Sequence, residues 1–189
     1  MQLEIKTNWK SRFINLGYTD KQVAELIEYP THILQYVHEE GYINTDMNCG
    51  QIKQVMLGLS NNHLSVSVKE YAKNWYNANQ MRSVRILLNI GLNADFISKY
   101  INPLEFNYKQ CFVLGMVLIN SREFNIDIYL DFIRKANNQI DELYRLFNSR
   151  VSGVQYYKFY NAEVVKDIIS SFDRDLYAAQ IQYQLDLMS

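Results

Sequence analysis

Proline is almost missing from this chain, glycine is sparse, and cysteine occurs twice. Across 189 residues there are two prolines (Pro30 and Pro103), seven glycines and two cysteines. So little Pro and Gly excludes a collagen-like or loop-rich architecture. Cys49 and Cys111 lie far apart, each at a position that reads as helical core. Sequence alone leaves a disulfide between them open, but buried, reduced thiols fit these positions better. Charge of one sign is also lacking, with 19 basic against 20 acidic side chains. The chain therefore has no global electrostatic reason to seek nucleic acid or an anionic membrane, although a local basic face stays open. No apolar run approaches a membrane span. The opening MQLEIKTNWKSRF lacks the apolar stretch of a signal peptide, so a cytoplasmic protein of a bacterial host is expected.

The usual signatures of chemistry are absent as well. Of the three histidines, His32 and His38 are spaced off a common helical face, and His63 reads as a surface residue. No cysteine or carboxylate cluster supplies the other ligands of a zinc site. There is no Gly-rich phosphate loop, nucleophile elbow, HExxH or kinase signature. The neighbouring acids Glu39–Glu40 and Asp173 with Asp175 read as solvated surface rather than catalytic pairs. The expectation is a non-enzyme with no catalytic residue, cofactor or metal.

What is present is a core-forming composition, 48% hydrophobic, arranged with a period. Gln22, Gln51, Gln80, Gln110 and Gln139 recur every 29 or 30 residues. Three residues before the first four stands a helix-capping type: Thr19, Asn48, Asn77 and Asn107. A Gln at the third helical position reaches back to the cap amide, which is the capping box. Tyr18, Met47, Tyr76 and Phe106 precede the caps, and Val23, Ile52, Met81 and Cys111 follow the glutamines. Those two positions are partners in a hydrophobic staple. Apolar residues then recur at helical spacing, as in Met81, Val84 and Leu88, or Ile140, Leu143, Tyr144 and Phe147.

Gly91 marks the end of the third long helix. A shorter segment follows in each repeat, ADFISKY (94–100) or NIDIYLDF (125–132), and Tyr71, Tyr100 and Tyr129 close repeats two to four. The first long helix stops at Tyr29, and Pro30 opens the helix THILQYVHEEG. Ala136 replaces the fifth cap, and SRVSGVQ (149–155) is the most loop-like stretch. The fold class expected is all-α: stacked short bihelical repeats forming a small, curved, solenoid-like domain over residues 1–149, of about five units of ~29 residues. A longer C-terminal helical segment, 150–189, is expected to cap the repeats.

The stretch YNANQMRSVRILLNIGLNADFISKYINPLEFNYKQ (76–110) resembles a repeat found in proteins of gut Firmicutes and their mobile elements. That pattern runs from an aromatic and Asp/Asn through Gln-Met, Ile-Arg and Gly-Leu to a Tyr-x-Asp/Asn-Pro linker. Tyr76, Asn77, Gln80, Met81, Val84, Arg85, Tyr100, Asn102 and Pro103 match it, while Leu87 stands where the family often has Gly and Gly58 keeps that place one repeat earlier. The match covers about half the chain and weakens toward both ends. The resemblance implies a helical-repeat fold. It also implies a setting in phages and mobile elements, where some small proteins are anti-CRISPR inhibitors of host defence. The abundance of Asn, Ile, Lys and Tyr agrees with an AT-rich genome.

The function expected is therefore non-enzymatic protein binding, most concretely an anti-CRISPR protein that blocks a CRISPR effector nuclease sterically. Another host defence protein is the wider class of partner. Glu39, Glu40 and Asp46 would mimic phosphates against a DNA-binding surface. Arg82 and Lys99 are further partner-binding candidates, while Arg85 reads as a repeat residue that pairs with a neighbouring repeat. Arg150, Tyr156, Tyr157 and Lys158 form an aromatic-basic stretch. They support the alternative, a nucleic-acid-binding regulator working through its C-terminal third. Most of the fifteen tyrosines sit at repeat positions and belong to the core, whereas Tyr156, Tyr157, Tyr177 and Tyr183 do not.

Overall fold

The computed structural model describes residues 2–61, 65–119, 125–135 and 137–151, with single positions 178, 182 and 185. Among the described residues every regular element is helical. The α-helices are α1 (Gln2–Asn15), α2 (Asp20–Ile27), α3 (Thr31–Glu40), α4 (Cys49–Leu59), α5 (Ala78–Asn89), α6 (Ala94–Tyr100), α7 (Tyr108–Ile119), α8 (Ile126–Lys135) and α9 (Asn137–Val151). A 3₁₀ helix spans Ser65–Glu70 between α4 and α5. The chain is all-α, as expected.

The long helices begin where the caps and glutamines place them. Thr19 N–H donates to Gln22 Oε1 (2.8 Å), and Gln22 N–H donates to Thr19 Oγ1 (3.3 Å). The same reciprocal pair recurs at Asn48–Gln51, Asn77–Gln80 and Asn107–Gln110. Each box satisfies two amides that the first helical turn leaves without partners. Staple residues Met47, Tyr76 and Phe106 are buried, as are Val23, Ile52, Met81 and Cys111.

The glutamines do more than start helices. All four are buried, and in Gln22, Gln51 and Gln110 the far end of the amide reaches forward to the segment that precedes the next long helix. Gln22 Nε2 donates to the carbonyls of Thr45 (2.9 Å) and Met47 (2.6 Å). Gln51 Nε2 does the same to Asn74 (3.0 Å) and Tyr76 (2.6 Å), and Gln110 Nε2 donates to Ile133 (3.0 Å). The acceptors lie 23 and 25 residues ahead, in the segment that leads into the next long helix. One amide thus closes a helix start and holds the entry to its successor. Among the described residues no buried side-chain N or O atom lacks a hydrogen-bond partner.

The chain divides into two compact units, Met1–Arg85 and Ile86–Ser189. In the first, α1 packs on α2 and α3, α2 on α4, and α4 on the 3₁₀ helix. Trp9 and Phe13 give α1 its buried face, and Arg12 Nη2 donates to His38 Nε2 of α3 (2.7 Å). Gly58 on α4 is the notch that receives the Tyr71 phenol, whose hydroxyl donates to the Gln54 carbonyl (3.3 Å). In the second unit α7 packs on α8 and α9, and α8 on α9. Every residue of α7 from Gln110 to Leu118 is buried, the mark of a central helix. Gly115 of α7 opens a gap filled by the Leu87 side chain. Gly91, at φ +110, ends α5 with Leu92 N–H donating to Leu87 O (2.9 Å), a left-handed cap that glycine adopts without strain.

Several sequence expectations need correction. Cys49 is half-exposed rather than core, because it is the first residue of α4, ahead of that helix's buried face; both thiols are free. Tyr129 does not close the fourth repeat: it is buried within α8, which runs on to Lys135. The stretch beginning at Ser149 is not loop at its start, since α9 continues through Val151. Gln139 is exposed on α9, unlike the four buried glutamines, and Ala136 offers no side-chain acceptor for a box. The first long helix ends at Ile27, two residues before Tyr29. Helix α1 lies at the N-terminus, ahead of the first cap-and-glutamine pair and outside the repeat pattern. His63 lies outside the described residues, as does most of the expected cap segment 150–189, including Asp173, Asp175, Tyr177 and Tyr183.

Candidate functional site

Helix α3 is amphipathic: Ile33, Leu34 and Val37 face the core, and the outward side carries Gln35, Tyr36, Glu39 and Glu40. It ends at Gly41, whose φ of +66 turns the chain and lets its N–H donate to Val37 O (3.0 Å). Tyr42 then lies beside Tyr36, ring centroids 5.7 Å apart. The Tyr36 hydrogen bond, followed by partial burial, pushes the Tyr42 phenol up to about 12, and the Glu40 charge acts in the same direction. Gln35 Nε2 donates to Glu39 Oε1 (2.9 Å) and fixes that carboxylate. Glu39 and Glu40 are exposed at the helix C-terminus, where the macrodipole disfavours negative charge. Tyr36 is 37% exposed. Asp46 is exposed in the linker to α4, its N–H bonded to Asn44 Oδ1 (3.0 Å).

The structure therefore groups Glu39 and Glu40 with two tyrosines that the sequence did not single out. The signal was available: Tyr36 is off the buried stripe of α3, and Tyr42 follows the glycine that turns the chain back. The other candidates are not part of this cluster. Arg82 is exposed on α5. Lys99 is exposed on α6 with Nζ 4.8 Å from the Tyr100 ring centroid; its pKa is raised by the Tyr100 hydrogen bond first, with the Asp127 charge also contributing. Arg150 falls in α9, but its side chain, like Tyr156, Tyr157 and Lys158, lies outside the described residues.

A second outward feature is apolar. Trp75, in the linker before α5, is 55% exposed with Lys73 Nζ 5.7 Å from its ring, and the second unit exposes Leu104 (82%) in the linker before α7. Single exposed apolar residues are ordinary on protein surfaces, so neither marks a site alone. Among the described residues no group of three His, Cys, Asp or Glu side chains could hold a metal ion. No described helix is long and apolar enough to cross a membrane. No family model matches the chain, and neither the curated proteins nor the solved structures contain a match.

Proposed function

We propose that this protein is a non-enzymatic module that binds another protein, in its most concrete form an anti-CRISPR inhibitor from a phage or mobile element. One observation carries the reading: the acidic-aromatic end of α3, where exposed Tyr36, Glu39 and Glu40 stand together with half-buried Tyr42. Two acids at a helix C-terminus act against the dipole, so their place is better explained by an external partner than by stability. Tyrosine supplies broad contact area at a low cost in side-chain freedom, and carboxylates beside it complement a basic surface. A nuclease that grips a phosphate backbone presents such a surface. Covering it inhibits by exclusion and requires no chemistry from the inhibitor.

The test uses the full chain with purified CRISPR effector nucleases loaded with guide RNA. The expected result is a stable complex by size-exclusion chromatography and loss of target-DNA cleavage. Glu39→Lys with Glu40→Lys should raise the dissociation constant by at least about tenfold. No complex and full cleavage across the effectors would overturn the anti-CRISPR form. A complex indifferent to the double charge reversal would remove α3 as its contact.

A further inference from the structure

Arg85 is a half-buried cation of the first unit with no carboxylate paired to it among the described residues. It lies on α5, half-buried, with Nε donating to Gln54 Oε1 of α4 (3.1 Å). The ion pairs of the described residues all lie elsewhere, at Lys109–Asp141, Arg134–Glu105 and Lys135–Asp131. A guanidinium has five N–H donors, and Gln54 occupies one. Burial lowers the Arg85 pKa; the neighbouring Tyr71 and Tyr29 phenols act against that shift, and the Arg82 charge adds to it. Arg82, one turn earlier and exposed, thus brings a second positive charge to the same helix face. A half-desolvated cation without its counter-ion is stabilised by an anion that completes it, and the planar fork of Arg suits a carboxylate held by two parallel bonds.

The surroundings choose among anions. Tyr29 sits near Arg85, and the charges of Glu25 and Glu28 act on its phenol. Those two acids weigh against a polyanion running across the site, which meets their repulsion at several charges, more than against one negative group. The near-neutral chain provides no wider positive field for nucleic acid. We propose that Arg85, with Arg82 beside it, is a receptor for a single carboxylate presented by an Asp or Glu side chain of a protein partner. This rests on the protein-binding reading and deepens it: the partner would bring a basic area to α3 and an acidic residue to α5.

The test needs no partner. Arginine Nε–H resonances of the full chain are followed by ¹⁵N NMR during titration with acetate at constant ionic strength, and separately with a short single-stranded DNA. Arg85 should move saturably, with a midpoint about tenfold below that of Arg12 or Arg134, whose Nη2 and Nε already bond His38 and Glu105. Arg85→Lys should abolish the saturable response of Arg82 while leaving the backbone spectrum otherwise unchanged. An Arg85 response no stronger than that of the other arginines overturns the inference, even if effector inhibition is found. A response to DNA at lower concentration than to acetate also overturns it, in favour of a phosphate backbone. A saturable acetate response with no protein complex in the preceding assay would leave this site standing and remove the anti-CRISPR reading alone.

Discussion

Exchanging Gln51 for Glu alters one atom of a buried amide and tests the double-ended role of the repeat glutamines. The Oε1 contact from Asn48 N–H (2.8 Å) survives, but the two bonds given by Nε2 to Asn74 O (3.0 Å) and Tyr76 O (2.6 Å) are lost. Each lost bond costs about 0.5–1.5 kcal/mol, so the pair contributes roughly 1–3 kcal/mol. A carboxylate oxygen facing two carbonyls would also be destabilised, and Gln51 is only 5% exposed. The acid would take up a proton instead, which from an ordinary Glu pKa costs about 4 kcal/mol at pH 7. A protonated acid regains one donor. The expected destabilisation is therefore about 4–6 kcal/mol near pH 7 and about 1–2 kcal/mol near pH 4.

The sign follows from linkage. The folded pKa of the new acid is raised above its unfolded value. Stability relative to wild type is thus fully present below the ordinary carboxylate range and is lost as pH rises toward the folded pKa. Urea unfolding followed by circular dichroism at pH 4.5 and 7.5 reads this directly. Gln139→Glu is the control, because Gln139 is exposed. If the Gln51→Glu deficit is the same at both pH values, or matches that of Gln139→Glu, the bridging role is wrong.

Two further tests concern packing and one concerns burial. Gly58→Ala would place a Cβ against the Tyr71 hydroxyl and 2.9 Å from Val68 Cγ2, so it should cost about 1–3 kcal/mol; Tyr71→Phe in that background should restore part of the loss in urea unfolding. Leu87→Ala should cost about 2–4 kcal/mol and Gly115→Ala a similar amount by overpacking, yet the double variant should be more stable than the sum implies, and an additive double-mutant cycle would refute the pairing. Burial pushes the Cys111 thiol up to about 12 from an ordinary value near 9, so native protein should yield one fast-reacting thiol, Cys49, and the second only on unfolding. The raised Cys111 value also means that stability declines as pH climbs from about 9 toward 12, in step with the buried phenols of Tyr71 and Tyr129, whose pKa values burial raises as well.

The helix starts were legible because their causes are local. Cap and glutamine stand three residues apart, and hydrogen bonds at that range need no tertiary contact to be inferred. The forward reach of Gln22 to Thr45 and Met47 was not legible, because the acceptors are backbone carbonyls and every residue type carries one. The α1 helix escaped notice because it carries no cap-and-glutamine pair like those that mark the starts of the later long helices. Of the candidate site, the acids Glu39 and Glu40 were visible as adjacent charges. Their grouping with Tyr36 and Tyr42 depends on the turn at Gly41, which brings a residue beyond the helix back beside one on its surface.

Sequence by itself determined that the chain is helical, where four helices begin, and which residue types start them, since these follow from bonds made within one turn. Only the tertiary structure decided that Gly58 and Gly115 are notches for Tyr71 and Leu87, that Cys49 is half-exposed while Cys111 is buried, and that Arg85 lies half-buried beside Gln54. Each of these depends on which side chain another helix brings alongside, and a residue's own neighbours in the chain do not carry that information.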